Sequence, residues 1–518
     1  MSRRTSRGIA LAIAACLVVA ACGGGSESKD EGSTEVDKNA TLTFGFTVPA
    51  VPLDPHTAAT DVGQYAYVSP LYDRLTQITA GPKIEPMLAT KWEFSADGKA
   101  ATFTLRDDVT FSDGAKLDAE AVKKSLDRAL TDPKSTAPTK LNMIESVEVV
   151  TTAEVRINTT RPAADLPYAL AGSYGSIISP RALGNKDLDV KPVGSGPYVL
   201  TELKLGESAT YTRRDDYWDP KAQQAKTIVI KGIPDDNARL NALRSGQIDF
   251  MISKVGQADQ AKKLGDGFKF YSYPAAATYA LLLNVDLPNM DNFKVRQALN
   301  YAIDREAINK SLLNGQCEPN NQPLTPGFDG YLEDPPVAYE YDLAKAKSLL
   351  DEAGVANGFD MQLLVGAGLS PQDKMAPVLQ AQFKQLGINA RIVEQDLAQT
   401  SSNYGMSKFD SYMQTRVAGP SSAMTLQTNY ESSRTFPGEL PAEIRKSIDG
   451  LFDPSLDEAS LKESLEEAAS AINEQALDLF ICAVPTQFAF SEKVTGADKM
   501  GQSFFQGIPD FRYVGITG

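Results

Sequence analysis

The chain has 518 residues with 51 Lys plus Arg against 66 Asp plus Glu, a formal charge of −15, so it is long enough for two or three domains and its surface repels nucleic acid phosphates. Apolar residues at 42% and charged residues at 23% suit a chain that folds in water and exclude wholesale disorder or a polytopic membrane protein. The single histidine, His56, rules out metal centres that need two, and no metal or other cofactor is expected.

Arg3, Arg4 and Arg7 precede an apolar or small run from Gly8 to Ala21 that ends at Cys22. The run is too short to span a bilayer as a permanent helix and reads as a secretion signal over 1–21. Val19-Ala20-Ala21-Cys22, followed by Gly23-Gly24-Gly25-Ser26, resembles a bacterial lipobox, in which cleavage before the cysteine leaves it free to carry lipid. Residues 22–40 then form a flexible tether. With Cys16 in the signal and Cys22 lipidated, Cys317 and Cys482 remain. In an oxidising compartment they permit one disulfide, and two buried thiols are equally compatible with the sequence.

The ordered body begins at Thr41-Leu42-Thr43-Phe44-Gly45-Phe46, whose alternation predicts a strand with one buried face. A Pro-rich loop through Pro49, Pro52 and Pro55 follows. Trp92 to Phe111 reads as a hairpin about Ser95-Ala96-Asp97-Gly98, and Asp118 is placed to cap a helix carrying Val122, Leu126, Ala129 and Leu130. Helices are predicted over 292–313, after Asp342, and over 371–386, the last followed by a strand over 388–393. A long helix through Leu461, Leu465, Ala468 and Ile472 precedes an apolar strand over 477–484. Alternating helices and strands predict an α/β body.

Patterns for covalent chemistry are missing: there is no GxSxG, CxxC, GxxxxGK[ST] or GxGxxG. Gly194-Ser195-Gly196 runs into Pro197-Tyr198 and reads as a tight turn. His56, between Pro55 and Thr57, reads as a hydrogen-bonding loop residue ahead of a general base or metal ligand. The doublets Asp107-Asp108, Asp215-Asp216 and Asp235-Asp236 read as solvated turns, which leaves an exported hydrolase as the minority reading.

Five segments carry a more specific signal. They are Trp92 to Gly98 with Thr102 to Arg106 and Val109 to Gly114; Pro192-Val193-Gly194-Ser195-Gly196-Pro197-Tyr198; Arg214-Asp215-Asp216-Tyr217-Trp218; Val295-Arg296-Gln297-Ala298-Leu299 with Ala302 to Arg305; and Tyr341-Asp342 to Gly354. In this order, across roughly residues 41 to 500, the chain resembles the family 5 extracellular solute-binding proteins of ABC importers, the oligopeptide, dipeptide and nickel-binding group. The resemblance implies a two-lobed α/β fold of the periplasmic-binding-protein type (class II) with an extra small domain and hinge strands between the lobes. Carried onto this chain, lobe I comprises 41–56, 178–277 and 483–518, the small domain 57–177, and lobe II 278–482. The hinge falls near Pro274 to Thr278 and Ala483 to Thr486.

The same resemblance implies a binding protein without catalysis. It would capture a peptide or similar organic solute and hand it to a permease, with ATP hydrolysis left to partner subunits. The expected protein is a monomer held outside the cytoplasm on the cell membrane by its lipid anchor, with no nucleic acid partner. Ligands in the family are gripped after the first strand, near the Gly194 turn, and downstream of a Phe-Asp pair, here Phe409-Asp410. Peptide binders carry an acid in that last segment, whereas Ser411 to Ser422 has none and contributes Arg416. A guanidinium suits an anionic ligand group, which admits a non-peptide solute such as an oligosaccharide, an opine or a metal chelate. Candidate ligand residues are therefore Thr47, Gln64, Tyr65, Tyr279, Tyr404, Tyr412 and Arg416, with Tyr67 a further aromatic near the cleft. A sensory adaptor would share all of them.

Overall fold

In the computed structural model the described residues are 35–57, 61–79, 83–253, 257–432, 434–502 and 509–518. The signal segment, Cys22 and the start of the tether lie outside them. The strand expected at the start of the body spans Thr41–Phe46, and Leu42, Phe44 and Phe46 are buried. It runs parallel to Thr227–Gly232 and to Phe250–Ser253, and the antiparallel strands Ser208–Arg213 and Tyr198–Lys204 extend the sheet outward. Phe44 sits 4.5 Å, centroid to centroid, from Phe511, which ties the chain's last segment into this N-terminal half.

Ala89–Phe94, Ala100–Leu105, Glu154–Thr159 and Ile144–Thr151 form a separate antiparallel sheet, in that order. The predicted hairpin turns at Gly98, whose φ of +68° favours glycine. The helix Ala119–Thr131 packs on this sheet; Asp118 caps it by accepting from the Ala121 N–H at 2.8 Å. Its apolar positions Val122, Leu126 and Ala129 are fully buried.

In the C-terminal half, Asp360–Gly366 runs parallel to Asn389–Gln395 and to Ser411–Val417. The helix Gln372–Lys384 covers one face of these strands and Leu397–Gly405 the other. The single helix expected over 292–313 is two, Phe293–Tyr301 and Arg305–Leu312. The break follows from Asp304, whose carboxylate accepts from the Ala307 N–H at 2.9 Å and starts a new helix. The strand expected over 477–484 runs on as Asp478–Ser491.

Two long antiparallel strands, Phe268–Leu283 and Asp478–Ser491, join the halves within one eleven-stranded sheet among the described residues. The first pairs with Ser411–Val417 in the C-terminal half, and the second with Phe250–Ser253 in the N-terminal half. Their mutual register slips between Ser272 and Ala275, again between Ala275 and Ala277, and once more between Tyr279 and Ala280. Beside them, Cys317 and Cys482 are bonded, with Cα atoms 5.7 Å apart, and Glu318–Pro319 pairs with Ala483 and Cys482. Of the two states the sequence left open, the structure has the disulfide.

Candidate functional site

The strand Ser411–Val417 ends at Ala418-Gly419-Pro420, and Ser421 starts the helix Ser422–Tyr430. Ser421 is an N-cap: its backbone is extended and its Oγ accepts from the Met424 N–H at 3.2 Å. Thr425 bonds the Ser421 carbonyl through its Oγ1 at 2.8 Å, and its Oγ1 accepts from the Gly419 N–H at 2.8 Å. These bonds clamp the strand exit against the first helical turn.

A cavity of about 230 Å³ opens at this turn. Pro420 to Ala423, Phe328, Leu451, Phe452 and Leu465 line it from the C-terminal half, and Lys83, Ala164, Asp165 and Tyr168 from the other side. Its far wall is closed by contact between the segment Arg161 to Ala164 and the loop that follows the helix Ala442–Gly450. The Arg161 guanidinium lies 4.4 Å from the Phe452 ring centroid, and the Ala164 N–H donates to the Phe452 carbonyl at 3.1 Å. Arg161 also makes two bonds to Asp165, at 2.8 and 3.1 Å. Phe328 separates this cavity from a void of about 10 Å³ bordered by Thr278 of a crossing strand, Arg416 and Asn429. A larger cavity of about 670 Å³, lined by Gln77, Lys221, Lys499 and Tyr513 among others, is bounded by residues outside the C-terminal half's strands. A ligand that drives closure must touch both sides of the gap, which favours the smaller cavity as the functional one.

The residues singled out from sequence do not assemble into one site. Arg416 is the main correction: it is buried, not a free cation toward the cleft. Its guanidinium makes a bidentate ion pair with Asp478, at 2.9 and 2.8 Å, and donates to the Asn429 carbonyl at 2.7 Å. The Tyr430 hydroxyl joins Asp478 at 2.9 Å. Burial pushes the Asp478 carboxyl up, while Arg416 and the Tyr430 bond pull it back. Desolvation explains the arrangement, because a guanidinium fully removed from water must find a carboxylate inside the protein.

Tyr404, on the helix Leu397–Gly405, and Tyr412, on the strand Ser411–Val417, are also interior, with rings 5.4 Å apart. The Tyr412 hydroxyl meets Thr400 Oγ1 at 2.9 Å and accepts from Gln414 Nε2 at 2.7 Å. Tyr279 lies on the opposite face of the sheet, half-buried against the Cys482 side, where burial raises its hydroxyl to about 12. In the N-terminal half Tyr65 is buried beneath the Arg74 guanidinium, 5.1 Å away. Gln64 donates from Nε2 to the carbonyls of Pro52, at 2.6 Å, and Asp54, at 3.0 Å, and so shapes the loop after the first strand. Tyr67 donates to the Val48 carbonyl at 2.7 Å, and Thr47 is half-buried at the strand exit. None of these residues lines the 230 Å³ cavity.

His56 is fully buried with Nε2 3.1 Å from the Ser176 carbonyl and Nδ1 3.0 Å from Arg128 Nη1. A guanidinium only donates, so Nδ1 accepts and Nε2 carries the proton. Burial, with Arg128 assisting and Asp54 opposing, lowers its pKa to about 4. Among the described residues no group of His, Cys, Asp or Glu is arranged to hold a metal ion.

The family motifs prove to be internal locks. Gly194 and Gly196 pass so close to the Leu71 backbone that a Cβ would come within 2.2 and 2.4 Å of it. Ser195, Tyr217 and Trp218 each donate to the buried Asp73 carboxylate, at 3.2, 3.0 and 3.0 Å, beside Arg512 at 3.1 Å. Sequence reasoning missed Phe328, Tyr168, Phe452 and Ser422 at the cavity. Gly419-Pro420-Ser421 before an apolar run was a readable helix-start signal; Phe328, in Gly-Phe-Asp-Gly, had none.

A model of the bacterial extracellular solute-binding proteins, family 5, middle region, matches residues 83–437. The chain belongs to this family. The solute-binding protein is 31% identical over 353 residues to the glutathione-binding protein GsiB of Salmonella paratyphi A, covering 68% of each chain. It is 30% identical over 420 residues to heme-binding protein A of Haemophilus influenzae, covering 74% of this chain and 76% of that one. The structure of DppA from Helicobacter pylori, in complex with the peptide STSA, superposes with a TM-score of 0.75 at 25% identity, covering 93% of this chain and 98% of that one. The fold is therefore the two-lobed α/β periplasmic-binding-protein fold, and the solute-binding protein is a binding protein, not an enzyme, serving an ABC importer.

Proposed function

We propose that this solute-binding protein captures a short peptide or an organic solute of similar size between its lobes and delivers it to the importer's membrane permease. The observation that carries the reading is the 230 Å³ cavity lined from both sides of the gap, in a molecule whose halves are joined by two crossing strands. A ligand touching both sides favours the closed state by its differential affinity, and the permease recognises that shape. The relatives' named ligands, glutathione, heme and a tetrapeptide, set the size range.

Lobe I is taken as 41–56, 178–277 and 483–518, the small domain as 57–177 and lobe II as 278–482, with closure about the crossing strands. The chain acts as a monomer, lipid-anchored through Cys22 on the outer side of the plasma membrane, and ATP hydrolysis belongs to the partner subunits. A non-peptide solute is the second reading. It is favoured because Ser411 to Ser422 has no acid, and its one cation, Arg416, is already neutralised by Asp478.

Native mass spectrometry of the chain from residue 23, followed by denaturing release, tests the proposal. A stoichiometric peptide or small organic solute supports it, with the identity choosing between the two readings. Turnover of ester or glycoside substrates in place of stoichiometric binding would overturn it.

A further inference from the structure

We propose that the 230 Å³ cavity is a specificity pocket for one uncharged, apolar side group of the captured solute, and that it turns charged groups away; the assignment rests on the capture reading above. Sites that enclose a whole drug-sized ligand run from about 300 Å³ upward. A smaller space lined from both sides of the gap takes one side group and leaves the rest of the solute outside it.

The walls are apolar where they are buried. Phe328, Leu451, Phe452 and Leu465 are each no more than 9% exposed, and half-buried Leu461 and Tyr168 stand beside them. Phe452 is held in place by the Arg161 guanidinium against its ring and by the Ala164 N–H on its carbonyl. An uncharged group that leaves water for such a surface gains free energy in proportion to the apolar area it covers, and aromatic walls add favourable edge and face contacts.

The charges at the cavity decide what it refuses. Among the described residues the one buried charged side chain in its lining is Asp165, and Arg161 takes both carboxylate oxygens, at 3.1 and 2.8 Å. Lys83 and Asp329 are exposed and opposite in sign. Arg416, beyond Phe328, is bound by Asp478 and supplies no charge. The lining thus offers no buried counter-ion. A carboxylate or an ammonium group that entered would lose its water against apolar side chains without a partner, and that loss is unfavourable.

The test titrates three probes of similar shape, benzyl alcohol, benzoate and benzylammonium, at constant ionic strength into the exhaustively dialysed chain from residue 23, with the methyl groups of Leu451, Leu461 and Leu465 followed by NMR. Benzyl alcohol should move all three saturably, with an apparent Kd of about 1 mM or tighter, and the two ions should bind at least about tenfold more weakly. Leu461→Glu sets an unpaired carboxylate at the cavity from near the start of the helix Glu458–Glu474, where an acid suits the helix and the fold is retained. It should reverse the order, so that benzylammonium binds more tightly than benzyl alcohol. Equal binding of the three probes by wild type, unmoved leucine methyls, or an unchanged order in folded Leu461→Glu would overturn the assignment. The outcomes separate from those of the capture proposal: a released solute with a failed benzyl alcohol titration removes only the pocket's assignment, and a selective titration with no captured solute removes only the capture reading.

Discussion

Arg416 and His56 are the two residues whose meaning changes most with their surroundings. Read along the chain, Arg416 is a cation in a ligand-gripping segment; folded, it is one half of a buried ion pair with Asp478. Arg416→Met should therefore cost about 3–5 kcal/mol of folding stability, because it strands a buried carboxylate. Joining it with Asp478→Leu should restore part of that loss. Urea denaturation of the two variants decides the matter, and equal stability of wild type and Arg416→Met would place the guanidinium in solvent.

His56 has a folded pKa of about 4 against an unfolded value near 6.5, so between these values the unfolded chain binds a proton that the folded chain does not. Stability then rises with pH across that window and is lost as pH falls from about 6.5 toward 4, by up to about 3 kcal/mol. His56→Gln should flatten that part of the stability profile. An unchanged slope between wild type and variant would show that other groups govern acid sensitivity.

Among elements, the contact between the segment Arg161 to Ala164 and the Phe452 loop carries the most consequence. Phe452 is buried, its carbonyl is bonded to Ala164, and Arg161 lies over its ring. On the neighbouring hairpin Gly98, at φ +68°, leaves room for Pro454: a Cβ there would stand 2.8 Å from Pro454 Cδ. Phe452→Ala empties this junction and should destabilise the protein by about 3–5 kcal/mol. It should also open the cavity wall, seen as faster hydrogen exchange in 161–168. Unaltered exchange there would mean that the junction does not hold the wall. The disulfide Cys317–Cys482 works at the same scale, since it fixes the chain leading to Phe328 beside a crossing strand.

For the whole molecule, motion should concentrate where the two crossing strands lose register twice in succession, between Ser272 and Ala277, and not at the single slip between Tyr279 and Ala280. Bulged ladders leave backbone groups unpaired and bend readily. Amide exchange in 272–277 should exceed that in 279–283, where pairing with Ser411–Val417 is continuous. Equal protection along the strand would place the hinge elsewhere.

What the sequence determined by itself is what local rules govern. Alternation located Thr41–Phe46, capping by Asp118 and Asp342 located their helices, and five ordered motifs identified the family, because each signal lies within a few consecutive residues. Tertiary structure decided the rest. Arg416 meets Asp478 across 62 positions, Asp73 meets Arg512 across 439, and Cys317 meets Cys482 across 165. The cavity takes its walls from Lys83, Tyr168, Phe328, Ser422 and Phe452. Whether a polar side chain serves a ligand or the interior depends on which partner reaches it in three dimensions, and a linear pattern holds no record of that distance.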